Sequence, residues 1–336
     1  MIGRLPPLWI CLISLAGVYS ATAIGQSPSR AVVAIASGST INLYDESGNA
    51  VRSIHLKGPT AGFAFSPDRS RLVVVAPDTE HGGALWLIDL KTGQRRKLTP
   101  SHHFAFQHLD KGESEVYDSP AFSPDGRTLA FAVHGNLPGD GNDAFENSGP
   151  LAIVELNGGA PRVLKATNHI GPELDEPCSE SDPQWSSDGK WILFNCEDGG
   201  FLTDPQGNTV RHLKTDGENA GSSAVGWVGT KCIFYVQTPE QNGQFDFEHE
   251  SVKLLNFNTG KSSDASGMLT GFPTSQGGLV QASDAVVIRS DWPNSVLIIE
   301  TRKKQWRLRL DNRGPRTVAA QLMTGWSEKS IPSVCK

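Results

Sequence analysis

This sequence is short of several things, and each shortage removes a class of answer. Only 3 of its 336 residues are methionine, against 35 glycines and 21 prolines, a balance that suits many short strands and turns better than long helices. Basic residues do not exceed acidic ones. With 30 Lys and Arg against 36 Asp and Glu the net charge is −6, so there is no electrostatic case for nucleic acid as a partner. The acidic residues are scattered rather than run together, so no disordered acidic tail is indicated. Beyond the N-terminus no apolar stretch is long enough to cross a bilayer, and an integral membrane protein is not expected. No C-x-x-C pair occurs, which argues against a zinc ribbon or a thioredoxin-like motif. No Ser-His-Asp order, glycosidase carboxylate pair or phosphate-cradling glycine loop can be picked out, so no catalytic residue is assigned.

What is present begins with an export-like N-terminus. Arg4 is the only charge before Arg30, Leu8 to Val18 is almost wholly apolar, and small residues follow. Ala21-Thr22-Ala23 or Ala23-Ile24-Gly25 would serve as a cleavage site, so residues 1–25 read as a signal peptide and the protein as periplasmic or extracellular. The alternative, a membrane anchor, needs about 20 apolar residues, and Ser20 and Thr22 break the run. Cleavage would remove Cys11 and leave Cys178, Cys196, Cys232 and Cys335, an even number that favours disulfides in an exported chain. Three pairings are open. Cys178 and Cys196 flank the turn at Ser187-Asp188-Gly189, which would leave Cys232 for Cys335 and tie the tail to the body; four free buried thiols are the alternative.

The strongest signal is repetition. Phe122-Ser-Pro-Asp-Gly-Arg-Thr-Leu-Ala-Phe131 places a tight turn between two apolar strand pieces, and the layout returns at Phe65 to Val74 and Trp185 to Phe194. Weaker copies run from Trp227 to Tyr235 and from Leu279 to Ile288. Proline sets φ at the first corner, aspartate bonds back to the local backbone, and glycine accepts positive φ; Arg69 takes the glycine's place in the first copy. A second hairpin follows each of these, as in Leu85-Trp-Leu-Ile-Asp-Leu-Lys-Thr-Gly93 leading into Arg95-Arg-Lys-Leu98, and six such hairpins can be counted. Their outer strands usually carry Arg or Lys, which protects an exposed sheet edge.

Six hairpins of the second kind imply six four-stranded antiparallel units, and units of that size are propeller blades. The expected fold is therefore all-β, a six-bladed β-propeller forming a single domain over residues 26–336. The blades fall near 31–57, 60–99, 118–166, 181–215, 222–265 and 273–311. The first unit lacks an innermost strand ahead of Ala31-Val-Val-Ala-Ile35, and residues 316–322 could supply it, closing the ring by joining both ends of the chain in blade 1. A two-sheet sandwich is the rival, disfavoured by the repeat count.

The Phe/Trp-Ser-Pro-Asp-Gly-x-x-Leu-x-Phe pattern resembles the PD40 (WD40-like, TolB-like) β-propeller repeat, most closely at residues 62–76, 119–133 and 182–196. The resemblance implies a six-bladed propeller related to the periplasmic TolB component and to the propellers that cover prolyl-oligopeptidase-type peptidases. TolB's extra α/β domain is not expected here, with no room for it between the signal-like segment and Ala31, and no Gly-x-Ser-x-Gly elbow points to a peptidase.

Function is expected where the repeat is interrupted. Residues 100–118 bring His102, His103, His108, Asp110, Glu113, Glu115 and Asp118, and residues 134–149 bring His134, Asp140, Asn142, Asp143, Glu146 and Asn147. Asp140, Asn142, Asp143 and Glu146 are closely spaced oxygen donors of the kind calcium prefers, without the full EF-hand pattern; otherwise no cofactor is expected. His102, His103, His108 and His134 are candidate binding residues, although the adjacent pair would point opposite ways in an extended segment. Glu173, Asp175 and Glu176 lead into the innermost strand of blade 4, near one mouth of the channel, where a cation or basic peptide could bind. Phe65, Phe122 and Trp185 recur at one repeat position and read as inter-blade core rather than stacking platforms. The functional reading is a monomeric exported binding or scaffold module for a protein, peptide or glycan. The alternative is a metal-dependent propeller enzyme, lactonase-like or a polysaccharide lyase.

Overall fold

The structure is a computed structural model. It describes residues 31–58, 60, 62–77, 83–99, 114–136, 148–164, 182–196, 199–213, 220–241, 244–246, 249–265, 268, 279–283, 286–291, 296–309, 320–323, 325 and 327–336. These form six antiparallel sheets; five are built from strands consecutive in sequence, and blade 1 takes its innermost strand from far along the chain. Blade 1 contains β1 (Val33–Ser37), β2 (Thr40–Tyr44) and β3 (Ala50–His55). Blade 2 runs β4 (Phe63–Phe65), β5 (Arg71–Pro77), β6 (Gly83–Asp89) and β7 (Arg95–Lys97). Blade 3 has β8 (Ser114–Phe122), β9 (Thr128–Asn136), β10 (Ser148–Glu155) and β11 (Arg162–Val163). Blade 4 is β12 (Gln184–Trp185), β13 (Ile192–Cys196), β14 (Gly199–Thr203) and β15 (Val210–His212).

Blade 5 takes β16 (Ala220–Val228), β17 (Cys232–Gln241), β19 (Ser251–Asn256) and β20 (Lys261–Asp264), with a short extra strand β18 (Gln244–Phe245) paired to β17 that the repeat pattern did not signal. Blade 6 is β21 (Leu279–Ala282), β22 (Val286–Asp291), β23 (Val296–Thr301) and β24 (Gln305–Arg309). The expected ring closure is present. The last strand, β25 (Ala320–Leu322), pairs with β1 in the register Val33 to Leu322, Ala34 to Gln321 and Ile35 to Ala320, and becomes the innermost strand of blade 1.

The core lies between blades, because each strand has a sheet neighbour beside it and a neighbouring blade on either face. Alternation along β9 shows this. Leu129, Phe131 and Val133 pack with Val73, Val75 and Leu85 of blade 2, whereas Ala130 and Ala132 pack with Ile192, Phe194 and Phe201 of blade 4. Large residues on one face and alanines on the other let the next blade approach closely. Among the described residues six such clusters form, one for each pair of adjacent blades.

The repeated turn works as its chemistry predicts. In three blades the serine hydroxyl donates to the aspartate Oδ1, from Ser66 to Asp68 at 2.6 Å, Ser123 to Asp125 at 2.6 Å and Ser186 to Asp188 at 2.8 Å. The same oxygen accepts the N–H two residues on, from Ser70, Arg127 and Lys190. Gly126 and Gly189 take φ of 67° and 70°, and Arg69 holds the same conformation at 57°. Its guanidinium donates to the carbonyls of Ala31 and Met323, which offsets the cost of that backbone to a non-glycine residue.

One glycine is also fixed by a close approach. At Gly207, φ is +73° and an added Cβ would sit 2.8 Å from Cα of Leu164 in the preceding blade. Gly207→Ala is expected to cost at least about 2 kcal/mol in denaturant unfolding, combining left-handed strain with displacement of backbone. Gly93→Ala, at φ +72° with nothing within 4 Å, is the control and should lose only the strain, about 1 kcal/mol. Equal losses at the two sites would remove the packing argument.

Candidate functional site

The six innermost strands surround a channel whose cavity is about 720 Å³. Every blade contributes: Phe63 and Phe65, Ala121 and Phe122, Gln184 and Trp185, Val225 and Trp227, Gln281 and Ala282, Gln321 and Leu322. Strands alternate direction within each blade, so all inner strands begin on one face of the ring and end at the Ser-Pro-Asp-Gly face.

Inner strands expose backbone groups that no further strand covers, and side chains of neighbouring blades satisfy several of them. Gln281 Oε1 accepts the Leu322 N–H at 2.9 Å, and Gln321 Oε1 accepts the Phe65 N–H at 2.9 Å. Gln184 Nε2 donates to the Val225 carbonyl at 3.1 Å. Asn195 does both, taking the Ala224 N–H at 2.8 Å and donating to its carbonyl at 2.9 Å. The indole N–H groups of Trp185 and Trp227 donate to Ala121 and Gln184 carbonyls. Among the described residues, carboxamides and indoles thus sew blade to blade at four of the six junctions along the channel wall.

At the face where inner strands begin, the backbone is strained. Ser119 and Asp182 take φ of 47° and 53°, and each precedes a proline, which ordinarily restricts a residue to extended conformations. They occupy the same repeat position in adjacent blades, three residues before Phe122 and Trp185. Ser119 Oγ donates to Asp182 Oδ1 at 2.9 Å, so the two positions are joined across the mouth. A register shift between Asp118 and Ala121 gives Ser119 no partner in the β8–β9 ladder, and its N–H donates to Asp118 Oδ1. Gly62 of blade 2 holds the corresponding place, and its missing Cβ makes room: one built there would lie 3.0 Å from Pro120 Cδ and 3.1 Å from Asp118 Oδ1. Asp118 and Asp182 are the only charged side chains among the described residues lining the channel, which include no Lys, Arg or His.

Most residues singled out from the sequence fall outside the described residues: His102, His103 and His108, the calcium-like set Asp140, Asn142, Asp143 and Glu146, the acidic lead Glu173, Asp175 and Glu176, and Cys178. His134 lies in β9, paired with Val116 and Ser148. Cys232 and Cys335 form a disulfide with Cα atoms 5.4 Å apart, and Cys196 is also disulfide-bonded. Phe65 is core, as expected. Phe122 and Trp185 are half-buried; they pack against inter-blade clusters and also line the channel, so both roles fall to one ring. The mouth pair Ser119 and Asp182 was not anticipated. Aligning the repeats would have shown Ser119-Pro and Asp182-Pro at one position, but nothing in the spacing shows that their side chains meet. Among the described residues no three His, Cys, Asp or Glu come together as a metal site, and no helix is long and apolar enough to cross a membrane.

No protein-family model matches the chain. Among solved structures it is similar to TolB from Acinetobacter baumannii, at 18% identity and a TM-score of 0.52 over 89% of this chain and 68% of that one. An oligogalacturonate lyase in complex with manganese matches at 16% identity and TM-score 0.53, over 85% and 79% of the two chains. A chain of a nidogen/laminin complex matches at 11% identity and TM-score 0.52, over 83% and 93%. The likeness is one of fold. The chain has the TolB-like six-bladed propeller architecture, and the solved structures it resembles include a lyase and a chain from a complex of two proteins.

Proposed function

We propose that this protein is an exported propeller that acts as a binding or scaffold module, taking a protein, peptide or glycan partner at the mouth where the inner strands begin and at the adjoining loops of blade 3. The observation that carries this reading is the channel lining: aromatic rings, carboxamides and two carboxylates, with no cationic side chain among its described residues. Aromatic faces and amides suit sugar rings or extended peptide, and Asp118 and Asp182 favour a neutral or cationic partner over a polyanion. The strained, cross-linked Ser119 and Asp182 support it, since such backbone persists where a site must be held in place. Export belongs to the same proposal. It is supported by the N-terminal pattern and by the Cys232–Cys335 bridge, a bond that persists in oxidising compartments.

Titration calorimetry with four probes tests this: a lysine-rich hexapeptide, a glutamate-rich one, cellohexaose and oligogalacturonate. Binding of the cationic peptide or the neutral glycan is expected, with no binding of either polyanion. Asp182→Asn should weaken the cationic peptide about tenfold and leave cellohexaose unchanged. Silence with the cationic and neutral probes together would defeat the reading. So would cleavage of oligogalacturonate on adding manganese, which would establish the rival metal-dependent enzyme. Metal content after purification without added metal reads the Asp140, Asn142, Asp143 and Glu146 loop directly.

A further inference from the structure

Away from the channel, a second cavity of about 140 Å³ opens at the rim, between β3 of blade 1 and the β6–β7 hairpin of blade 2. Its floor is aliphatic. Ile54, Leu56 and Leu90 are half-buried, Ile88 is buried, and all four pack on the core shared by these two blades. Its walls are basic. Arg52 comes from β3, with the exposed imidazole of His55 beside it within hydrogen-bond distance of Thr40, and Lys91 and Arg95 come from the facing hairpin.

Among the described residues of the lining the only carboxylate, Asp89, is engaged by its own turn. Its Oδ1 accepts the N–H groups of Thr92 at 2.7 Å and Lys91 at 3.0 Å, and the Thr92 hydroxyl at 2.9 Å. The Thr92 N–H and hydroxyl hold its pKa below the usual carboxylate value, so it stays ionised and committed to these donors. Arg95 lies over the Trp86 ring, 5.3 Å from its centre, which restricts where its guanidinium points. On a chain of net charge −6, three Lys and Arg side chains around an apolar floor invert the local charge.

We propose that this rim cavity is a binding site for a small apolar carboxylate: a single aromatic ring or a branched aliphatic chain of leucine size bearing one carboxylate. The volume fixes the body of the ligand, since a cavity of about 150 Å³ accommodates one benzene ring. The floor takes the hydrocarbon, and the Arg and Lys walls take the carboxylate through charge-assisted hydrogen bonds. Inorganic phosphate or sulfate would meet the cations but leave the aliphatic floor unfilled. A neutral hydrocarbon would leave the charge unanswered. The same chemistry occurs in free acids and at the C-terminal residue of a peptide ending in leucine.

Protein-observed methyl NMR on the full chain tests the site with 4-fluorobenzoate and N-acetyl-glycyl-leucine, each beside its amide. Saturable shifts are expected at Ile54, Leu56 and Leu90 methyls, at least about tenfold weaker with the amides. The double variant Arg52→Gln/Lys91→Gln should lose at least about tenfold in affinity with its unfolding midpoint unchanged. Should that variant fold poorly, the wild-type affinity must still fall as salt rises. Tighter binding of the free acid or of the dipeptide assigns the source, and either supports the site. No saturable shift at these methyls at millimolar probe, equal binding of the amides, or binding indifferent to salt would overturn it.

Discussion

Replacing Cys232 and Cys335 together with alanine is expected to lower the unfolding free energy by about 3–4 kcal/mol, read from denaturant unfolding as a lower midpoint with a slope that rises as the unfolded chain expands. The bridge joins residues 103 apart in sequence, and a loop of that length gains most from a cross-link in the chain-entropy account. The native side adds to this. After β25 the chain leaves blade 1, contributes Met323 and Gly325 to the channel wall, and ends against blade 5. There Ile331 sits over Gly229, Asn256 Nδ2 donates to the Val334 carbonyl at 2.8 Å, and Lys231 Nζ donates to the Lys336 carbonyl oxygen. Cys335 is 3% exposed within the blade 5 and 6 core. Losing the bridge therefore frees the far end of the segment that holds β25 against β1. A change under about 1 kcal/mol would mean that packing of the tail alone suffices.

The second large effect is acid lability. Asp68, Asp125 and Asp188 lie in the inner turns and Asp45, Asp89 and Asp204 in the outer turns, and all six carboxyls titrate below their ordinary value. The Ser66 hydroxyl, followed by the Ser70 N–H and hydroxyl, holds Asp68 at about 2. The Ser123 hydroxyl does most at Asp125. At Asp188, burial pushes the pKa up but the hydrogen bonds from Ser186 and Lys190 outweigh it. Asp45 and Asp204 follow the same pattern, with backbone N–H donors prevailing over burial.

A carboxyl whose pKa is depressed on folding adds stability that is complete above its unfolded value and is lost as pH falls through its folded value. Stability should therefore hold from pH 7 to about 5 and then fall steeply between about pH 4 and 2, the lower bound being set by Asp68. These side chains are largely solvated, so each contributes modestly and the effect is cumulative. Asp68→Asn/Asp125→Asn should be less stable at pH 7 and show a flatter acid limb. An acid limb of wild-type steepness in that variant would place the lability elsewhere.

The architecture was readable because five of the six blades repeat two hairpins whose turn chemistry is local. Pro, Asp and Gly at fixed offsets set corners, and period-2 apolar runs set faces, without reference to distant parts of the chain. Even the closing strand followed from counting: blade 1 lacked a partner for β1, and Ala320–Leu322 lies within the segment expected to supply it. Arg69 marks the edge of that legibility. Its left-handed turn could be inferred from Gly126 and Gly189, but not its compensation by carbonyls at Ala31 and Met323, which come from opposite ends of the chain.

The channel mouth was less readable for the same reason. Ser119 and Asp182 are unremarkable singly, and their contact exists only because ring geometry brings equivalent positions of adjacent blades together. The rim cavity likewise draws Arg52 and Lys91 from separate hairpins.

The pairing of β1 with β25 also bears on how the molecule is made. Blade 1 cannot be completed until residue 322 has emerged, so a nascent chain carries β1 with an unpaired inner edge while the other five blades are being made. Contacts so distant in sequence slow the final folding step. Chains interrupted before Ala320 would keep that edge permanently, and are expected to be the species that self-associate or are held by chaperones.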